Sequence, residues 1–432
     1  MRKLLLALLL VPAVASAGGY SIPNVVPRDL AMADSLVADQ TSAGAVYRNP
    51  AALSRLSGLD LSLTVGIIGN GSTWTNTENY FPSPTSTNFK AVPVAALYAS
   101  WSGKIAGHGY GVGLGLGVPG GGSVYWPSDW AGRHSFISVD RKLFAGYLTA
   151  GFEIIPQIRV GGGLIYYYAT ETLSVAKALP GGTDGIVTVA DSGGAVSWDA
   201  ALEIQPLLDL PLRIGLDYKQ QAFMALKGPA NFAFPPAFAA TYPNQDFSHT
   251  LPYPSTFNVG IAWRPIPVVD INLAYTSEYY SAYVSDTFTG QTIDPSTGQL
   301  LNLSVWRKYG NANIFRLGVA WQALPVLEVR GGALYDQSGV NPAYFNPSLP
   351  DAKAIAASVG LGWEAMRNLF VEAAFFNAWF DTLNSVPAAS TTTLDNASSF
   401  PGSFKNWAWI TSVGIHWKWD PQAPKEGAAK AN

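Results

Sequence analysis

His108, His134, His249 and His416 are the side chains best suited to acid–base or metal chemistry near neutral pH, and their spacing supports neither. Ser135 adjoins His134, but neighbours in a strand point to opposite faces, so the two do not make a nucleophile–base pair. Gly111, Gly113, Gly115 and Gly117, then Pro119 and Gly120 to Gly122, invite comparison with a phosphate-binding loop. The comparison fails because the run has a period of two and opens no helix. The chain has no cysteine. No catalytic residue, metal site or cofactor is expected.

Two other groups of residues could do chemistry. Arg159, Arg213, Lys219, Arg316 and Arg330 are cations that could hold a carboxylate head group. Asp270, Glu328 and Glu372 share their setting, so the cations could equally pair with a polar wall. The second group is Phe232, Phe234, Pro236, Phe238 and Tyr242, an apolar cluster in a long connection. Water-exposed loops seldom carry such a patch without a use. It fits a groove that captures greasy molecules, or a lid of rings packed on one another.

The elements that position these residues are strands. Phe257, Val259, Ile261 and Trp263 fall on one face of a strand, and Asn258, Gly260 and Ala262 on the other. Phe315, Leu317, Val319 and Trp321 repeat the pattern against Arg316, Gly318 and Ala320. Fourteen such segments follow residue 58, at about 59–70, 91–103, 108–118, 138–155, 157–171, 186–205, 210–227, 254–264, 268–284, 303–322, 325–336, 353–364, 369–381 and 406–419. Their links alternate between long polar or aromatic stretches and tight turns. That rhythm belongs to an even-stranded barrel with long outer loops and short periplasmic turns.

Composition agrees. Charged residues are 13% and aromatics 12%, with Trp and Tyr recurring near strand ends as at Trp101, Trp263, Trp321 and Trp363. After the first residues, no apolar run is long enough for a spanning helix. A chain so poor in charge, without such a helix, crosses lipid as a closed barrel, since lipid cannot satisfy an open sheet edge. Arg2 and Lys3, the apolar run Leu4 to Val14 and Ala15-Ser16-Ala17 make residues 1–17 a secretory signal peptide. Its removal takes the formal charge from −3 to −5, and no basic patch suggests nucleic acid.

Residues 18–57 do not alternate. Leu30 to Gln40 reads as a short helix, and Arg48-Asn49-Pro50-Ala51 as a capped helix start with proline at its first position. The economical place for a segment without its own core is inside the barrel, as a plug. Glycine at each inward position of the third strand weakens the wall there, and Pro119 removes a ladder donor. The wall could open at that point, or the glycines could make room for the plug. The expected fold is all-β: a 14-stranded antiparallel transmembrane barrel over 58–419, an N-terminal plug at 18–57 and a polar tail at 420–432.

The chain resembles the FadL-type outer-membrane transporters over nearly all its mature length. Arg48-Asn49-Pro50-Ala51 looks like that family's hatch turn, and Trp130-Ala131-Gly132-Arg133 like its Trp-x-Gly-Arg element. Pro254 to Pro265 and Leu349-Pro350-Asp351 with Ser358 to Trp363 match two further patterns in the right order. Lys353 stands where the family usually has Arg, and Trp419 is followed by a polar tail. The resemblance implies passive uptake of long-chain fatty acids or aromatic hydrocarbons. It implies capture at outer loops, a lumenal pocket gated by the hatch, and lateral exit at a kinked third strand. The setting would be the outer membrane of a Gram-negative cell. The partners would be a hydrophobic solute, outer-membrane lipid and the assembly machinery, with the protein a monomer. A general porin would lack the plug and conduct ions, and an outer-membrane lipid hydrolase would carry a Ser–His pair at the rim.

Overall fold

The computed structural model describes residues 19–76, 83–293, 298–385 and 400–420. The expected signal peptide and most of the expected polar tail lie outside them.

Fourteen strands form one ring. They are β1 Gly58–Thr75, β2 Val92–Ile105, β3 His108–Tyr125, β4 Ser138–Ile155, β5 Ile158–Leu179, β6 Thr183–Ile204 and β7 Leu212–Lys219, continuing with β8 Thr256–Ile266, β9 Val269–Glu278, β10 Ala312–Leu324, β11 Leu327–Asp336, β12 Ala354–Met366, β13 Leu369–Phe380 and β14 Gly402–Trp419. Each pairs antiparallel with its neighbours, and β14 returns to β1 through a register running from Leu59↔Trp419 to Thr75↔Ser403. The ring closes on itself, so each strand has a neighbour on both sides.

The two faces invert a soluble protein. On β1, Leu63 and Val65 are 51% and 54% exposed, whereas Ser62 and Thr64 are 3% and 1%. The apolar face therefore meets lipid and the polar face looks inward. Trp101 and Trp419, and Phe89 and Trp407, pair as rings on the outside, as an interfacial girdle requires.

Several strands run further outward than their apolar pattern. β3 continues to Tyr125, β5 to Leu179 and β14 begins at Gly402. The expected strand 210–227 is broken at Gln220 and Gln221, and its continuation, Ala222–Ala233, pairs with the outer half of β6 and with Gln245–Tyr253. The expected strand 268–284 stops at Glu278, and 303–322 divides into Leu300–Trp306, paired with Ser285–Ile293, and β10. These hairpins stand above the ring.

Residues 19–57 are almost wholly buried and pack against inward positions around the ring. Helix α1 (Pro27–Ala31) contacts β11 to β14, and the 3₁₀ turn Pro50–Arg55 contacts β2 to β6. A side chain on Gly111 would strike the Leu53 carbonyl oxygen at 2.5 Å, and one on Gly161 the Ala51 nitrogen at 2.3 Å. The wall is thinned to glycine where the plug backbone touches it.

The expected helix over Leu30 to Gln40 is not there. α1 ends at Ala31, and Ala33 and Asp34 take left-handed φ of 51° and 61°. The wall overrides helical propensity: Ser358 Oγ accepts from the Ala33 N–H at 3.1 Å and donates to the Ala31 carbonyl at 2.8 Å. Asn49 does cap the turn it precedes. Its Oδ1 accepts from the Ala51 N–H at 3.1 Å, and its Nδ2 donates to the Val37 carbonyl at 2.8 Å.

Candidate functional site

The wall is incomplete between β2 and β3. β1 and β2 pair up to Ile68↔Val92, but the β2–β3 ladder ends at Leu97↔Leu116. Val92 to Ala96 thus have a ladder partner on one side only among the described residues. On the other bank, β3 shifts register against β4 between Gly117 and Gly120, around Val118 and Pro119. Pro93 and Pro119 stand on opposite banks, and neither has an N–H with which to close the ladder.

Cavities meet at this breach. One of about 150 Å³ lies inside, against Tyr20, Ile22, Ile68 and Arg141. A groove of about 1060 Å³ lies on the lipid face, along Leu63, Val65, Leu97 and Leu116. Both are lined by Pro93, Val94, Val118 and Phe144. The inner cavity and the lipid-face groove therefore lie back to back at this stretch of wall.

The start of the plug sits in that place. Ser21 bridges Gly120, the Ile22 N–H donates to the Pro119 carbonyl at 3.0 Å, and the Gly121 N–H donates to the Tyr20 carbonyl at 2.8 Å. The Tyr20 ring is buried among Tyr253, Tyr280 and Tyr283, with the Arg141 guanidinium 5.1 Å over it. Its hydroxyl donates to the Pro252 carbonyl. The Gly19 N–H donates to Asp351 Oδ2 at 2.9 Å, and the Ser338 hydroxyl donates to the same oxygen at 2.8 Å. Burial, then nearby Asp336, pushes the Asp351 carboxyl up to about 7.

A smaller polar cavity of about 40 Å³ lies behind this segment, lined by Arg48, Lys219, Glu278 and Arg316. Arg48 pairs with Asp34, and Arg316 donates to the Thr276 hydroxyl.

The sequence candidates are placed as follows. Of the five cations, four are already neutralised. Arg159 meets Glu153 at 2.9 Å and Glu203 at 3.3 Å, and Lys219 meets Asp217 at 2.7 Å. Arg213 pairs with Asp39 of the plug, and Arg330 with Glu328 and, at 2.7 Å, Glu372. Arg316 alone of the five has no carboxylate within ion-pair distance among the described residues. The cations thus serve mostly as wall and plug partners. Arg28 adds Glu328 at 3.4 Å, and Arg55 adds Glu203 at 3.0 Å.

The glycine run divides by position. A side chain on Gly113 would strike Val46 at 2.3 Å, and one on Gly115 or Gly117 would strike Tyr98. Gly111 and Gly113 therefore make room for the plug, and the breach lies further out, at Val118 and Pro119. The aromatic cluster is half-buried at the tip of an outer hairpin. Phe232–Phe234 and Phe234–Tyr242 are 5.4 Å apart by ring centroids, and no Phe238 ring pair is found among the described residues. The Phe232, Phe234 and Tyr242 rings pack on one another and on the buried cluster around Phe247.

Sequence reasoning missed Tyr20, Pro93 and Arg141. Arg141 was legible by parity, since it shares the inward face of β4 with Leu143, Ala145 and Tyr147. Pro93 could have been read as a second interruption opposite Pro119. Nothing local marks Tyr20.

The comparisons bear on this architecture. The structure is similar to a crystal structure of a Pseudomonas aeruginosa FadL homologue, at TM-score 0.79 and 16% identity over 93% of this chain and 99% of that one. It is similar to the Pseudomonas putida toluene transporter TodX, at TM-score 0.69 and 12% identity over 94% and 100%. The Ralstonia pickettii toluene transporter TbuX gives TM-score 0.67 and 13% identity over 91% and 99%. These likenesses establish the fold. No curated protein sequence matches the chain significantly. The sequence pattern of the outer membrane protein transport proteins (OMPP1/FadL/TodX), channels rather than enzymes, matches residues 8–419. The chain belongs to that family, as an outer-membrane β-barrel of the kind that transports hydrophobic compounds.

Proposed function

We propose that the protein admits long-chain fatty acids or aromatic hydrocarbons passively into the outer membrane of a Gram-negative cell. The solute is captured among the outer loops, where the Phe232, Phe234 and Tyr242 cluster offers a greasy contact. It settles in the cavity beside Tyr20 and leaves sideways between β2 and β3 when residues 19–22 shift. The observation that carries this reading is the shared lining of the inner cavity and the lipid-face groove at Pro93, Val94, Val118 and Phe144.

The physics favours a sideways exit over a straight one. Each methylene gains about 0.8 kcal/mol on leaving water, so a sixteen-carbon chain would lose on the order of 12 kcal/mol by dropping into the periplasm. Passing from an apolar cavity to lipid avoids that loss. The straight route is also obstructed by the plug and its ion pairs to the wall.

A deletion strain complemented with this protein should take up labelled oleate or toluene faster than the uncomplemented strain. Equal uptake of both solutes would refute the reading. A general porin predicts ion conductance from the intact protein, and the seated plug speaks against it. The protein acts as a monomer, set among outer-membrane lipid by the barrel-assembly machinery.

A further inference from the structure

Two lysines stand outward of the lipid-face groove, and Lys142 with Phe144 also lines the cavity beside Tyr20. Lys90 precedes β2 by two residues, on one bank of the breach. Lys142 lies on β4, two residues outward of Phe144 on the same outer face. Both ammonium groups reach the surface: Lys142 is 47% exposed, and Lys90 stands 2.9 Å from the Tyr125 hydroxyl. Tyr125 ends β3, the strand between them. Asp140 holds Lys142 at 3.1 Å and accepts from the Ser123 hydroxyl at 2.9 Å. Two cations and one carboxylate leave this patch one net positive charge.

Height is set by the rings. Phe89 stacks with Trp407 at 5.8 Å, and Phe144 faces Tyr168 across the β4–β5 ladder. Such rings mark the boundary between hydrocarbon and head groups. The two lysines lie just beyond that boundary on the long-loop side, where the phosphates of outer-leaflet lipids lie. Below them the groove is apolar and open to the side, with Leu116, Phe144 and Tyr166 along it.

We propose that the groove holds an acyl chain of a phosphorylated, multiply acylated lipid of the outer leaflet, with its phosphate bound by Lys90 and Lys142. The charge of the patch selects an anionic head, and the groove selects an acylated one. The Tyr125 hydroxyl, already directed at Lys90, positions that ammonium. This site requires only the groove and the lysines, and it stands whether or not solutes leave through the breach.

The experiment is native mass spectrometry of the detergent-purified full chain, titrated with lipid A. Wild-type protein should retain lipid A, and Lys90→Glu/Lys142→Glu should bind it roughly 30-fold more weakly. Lys90→Arg/Lys142→Arg should restore binding. Gly146→Trp should lower retention with both lysines intact, because a side chain on Gly146 has open space apart from Leu116 at 3.7 Å. Heat-modifiable migration on gels confirms that each variant is a closed barrel. Equal retention by folded wild type and folded double variant would overturn the proposal. So would equal retention of neutral diacylglycerol, which would mean acyl binding without head-group recognition. Competition by inorganic phosphate at concentrations matching lipid A would also overturn it, by marking a free-phosphate site. Solute uptake is not the readout, so loss of uptake with lipid binding intact would sink only the transport reading.

Discussion

The sharpest test of gating is to stitch the start of the plug to the wall. Ser21 and Gly120 face each other as an antiparallel bridge, flanked by the bonds Ile22–Pro119 and Gly121–Tyr20. A facing pair of that kind has Cα atoms about 4.5 Å apart, inside the roughly 4.4–6.8 Å that a disulfide spans. The native chain has no cysteine to interfere. Opening the segment breaks those two backbone bonds, the Tyr20 hydroxyl bond to Pro252, the Gly19 N–H bond to Asp351 and the Tyr20 and Ser21 N–H bonds to the Tyr280 hydroxyl. At about 1 kcal/mol net each, these six cost about 6 kcal/mol, so roughly one molecule in 20,000 is open at a given moment. Oxidised Ser21→Cys/Gly120→Cys removes that fraction. Uptake of labelled oleate or toluene by cells should fall more than about tenfold and return on adding an external reductant. Each single variant should transport whether oxidised or not. A double variant shown by mass to be fully cross-linked, yet transporting at the wild-type rate, would refute the idea that residues 19–22 must move.

Further outcomes follow from the plug contacts. Glu203 is buried between Arg55 and Arg159, so Glu203→Gln leaves the Arg55 guanidinium of the plug without its carboxylate, while Arg159 keeps Glu153, and should weaken plug seating by about 3 kcal/mol or more. Planar-bilayer recordings should then show ion conductance that the wild type lacks, and a silent variant would contradict this role. Asp351 offers a pH dependence. An unfolded aspartate titrates near 4, and burial moves this one to about 7. Its ionisation disfavours the folded latch, so seating is firmest below about pH 4 and weakens as pH rises to about 7. A fluorophore near residue 19 should gain mobility from pH 5 to pH 8, and Asp351→Asn should flatten the profile. Mobility that falls with rising pH would reverse the assigned sign.

What the sequence disclosed follows from where lipid acts. Along β8 and β10 every second residue must be apolar because it touches acyl chains, so the strands and their parity were readable. Outside the hydrocarbon that rule lapses. Thr172 and Ser174 still belong to the β4–β5 ladder, but nothing in their types shows it, so the outer end of β5 was placed too early. The Asn49 cap was legible because its partner, Ala51, is two residues away. The helix after Leu30 was not, because Ser358 ends it from across the barrel. The partners of the cations were hidden for the same reason. Arg213 is answered by Asp39 of the plug, 174 residues earlier in the chain, and no local pattern announces that pairing. Of the third-strand candidates, Gly111 and Gly113 lie against the plug, and Pro119 lies where the β3–β4 register shifts.

The plug's partners also dictate an order of assembly. Ala33 is tied to Ser358 across 325 residues, and Gly19 to Asp351 across 332. Neither tie can form until nearly the whole chain has been made and the ring has drawn together. The residues translated earliest must therefore wait without their native neighbours while everything behind them folds. Biogenesis of this molecule needs something to shelter that leading stretch, and a shortened leading stretch should leave ring closure itself untouched.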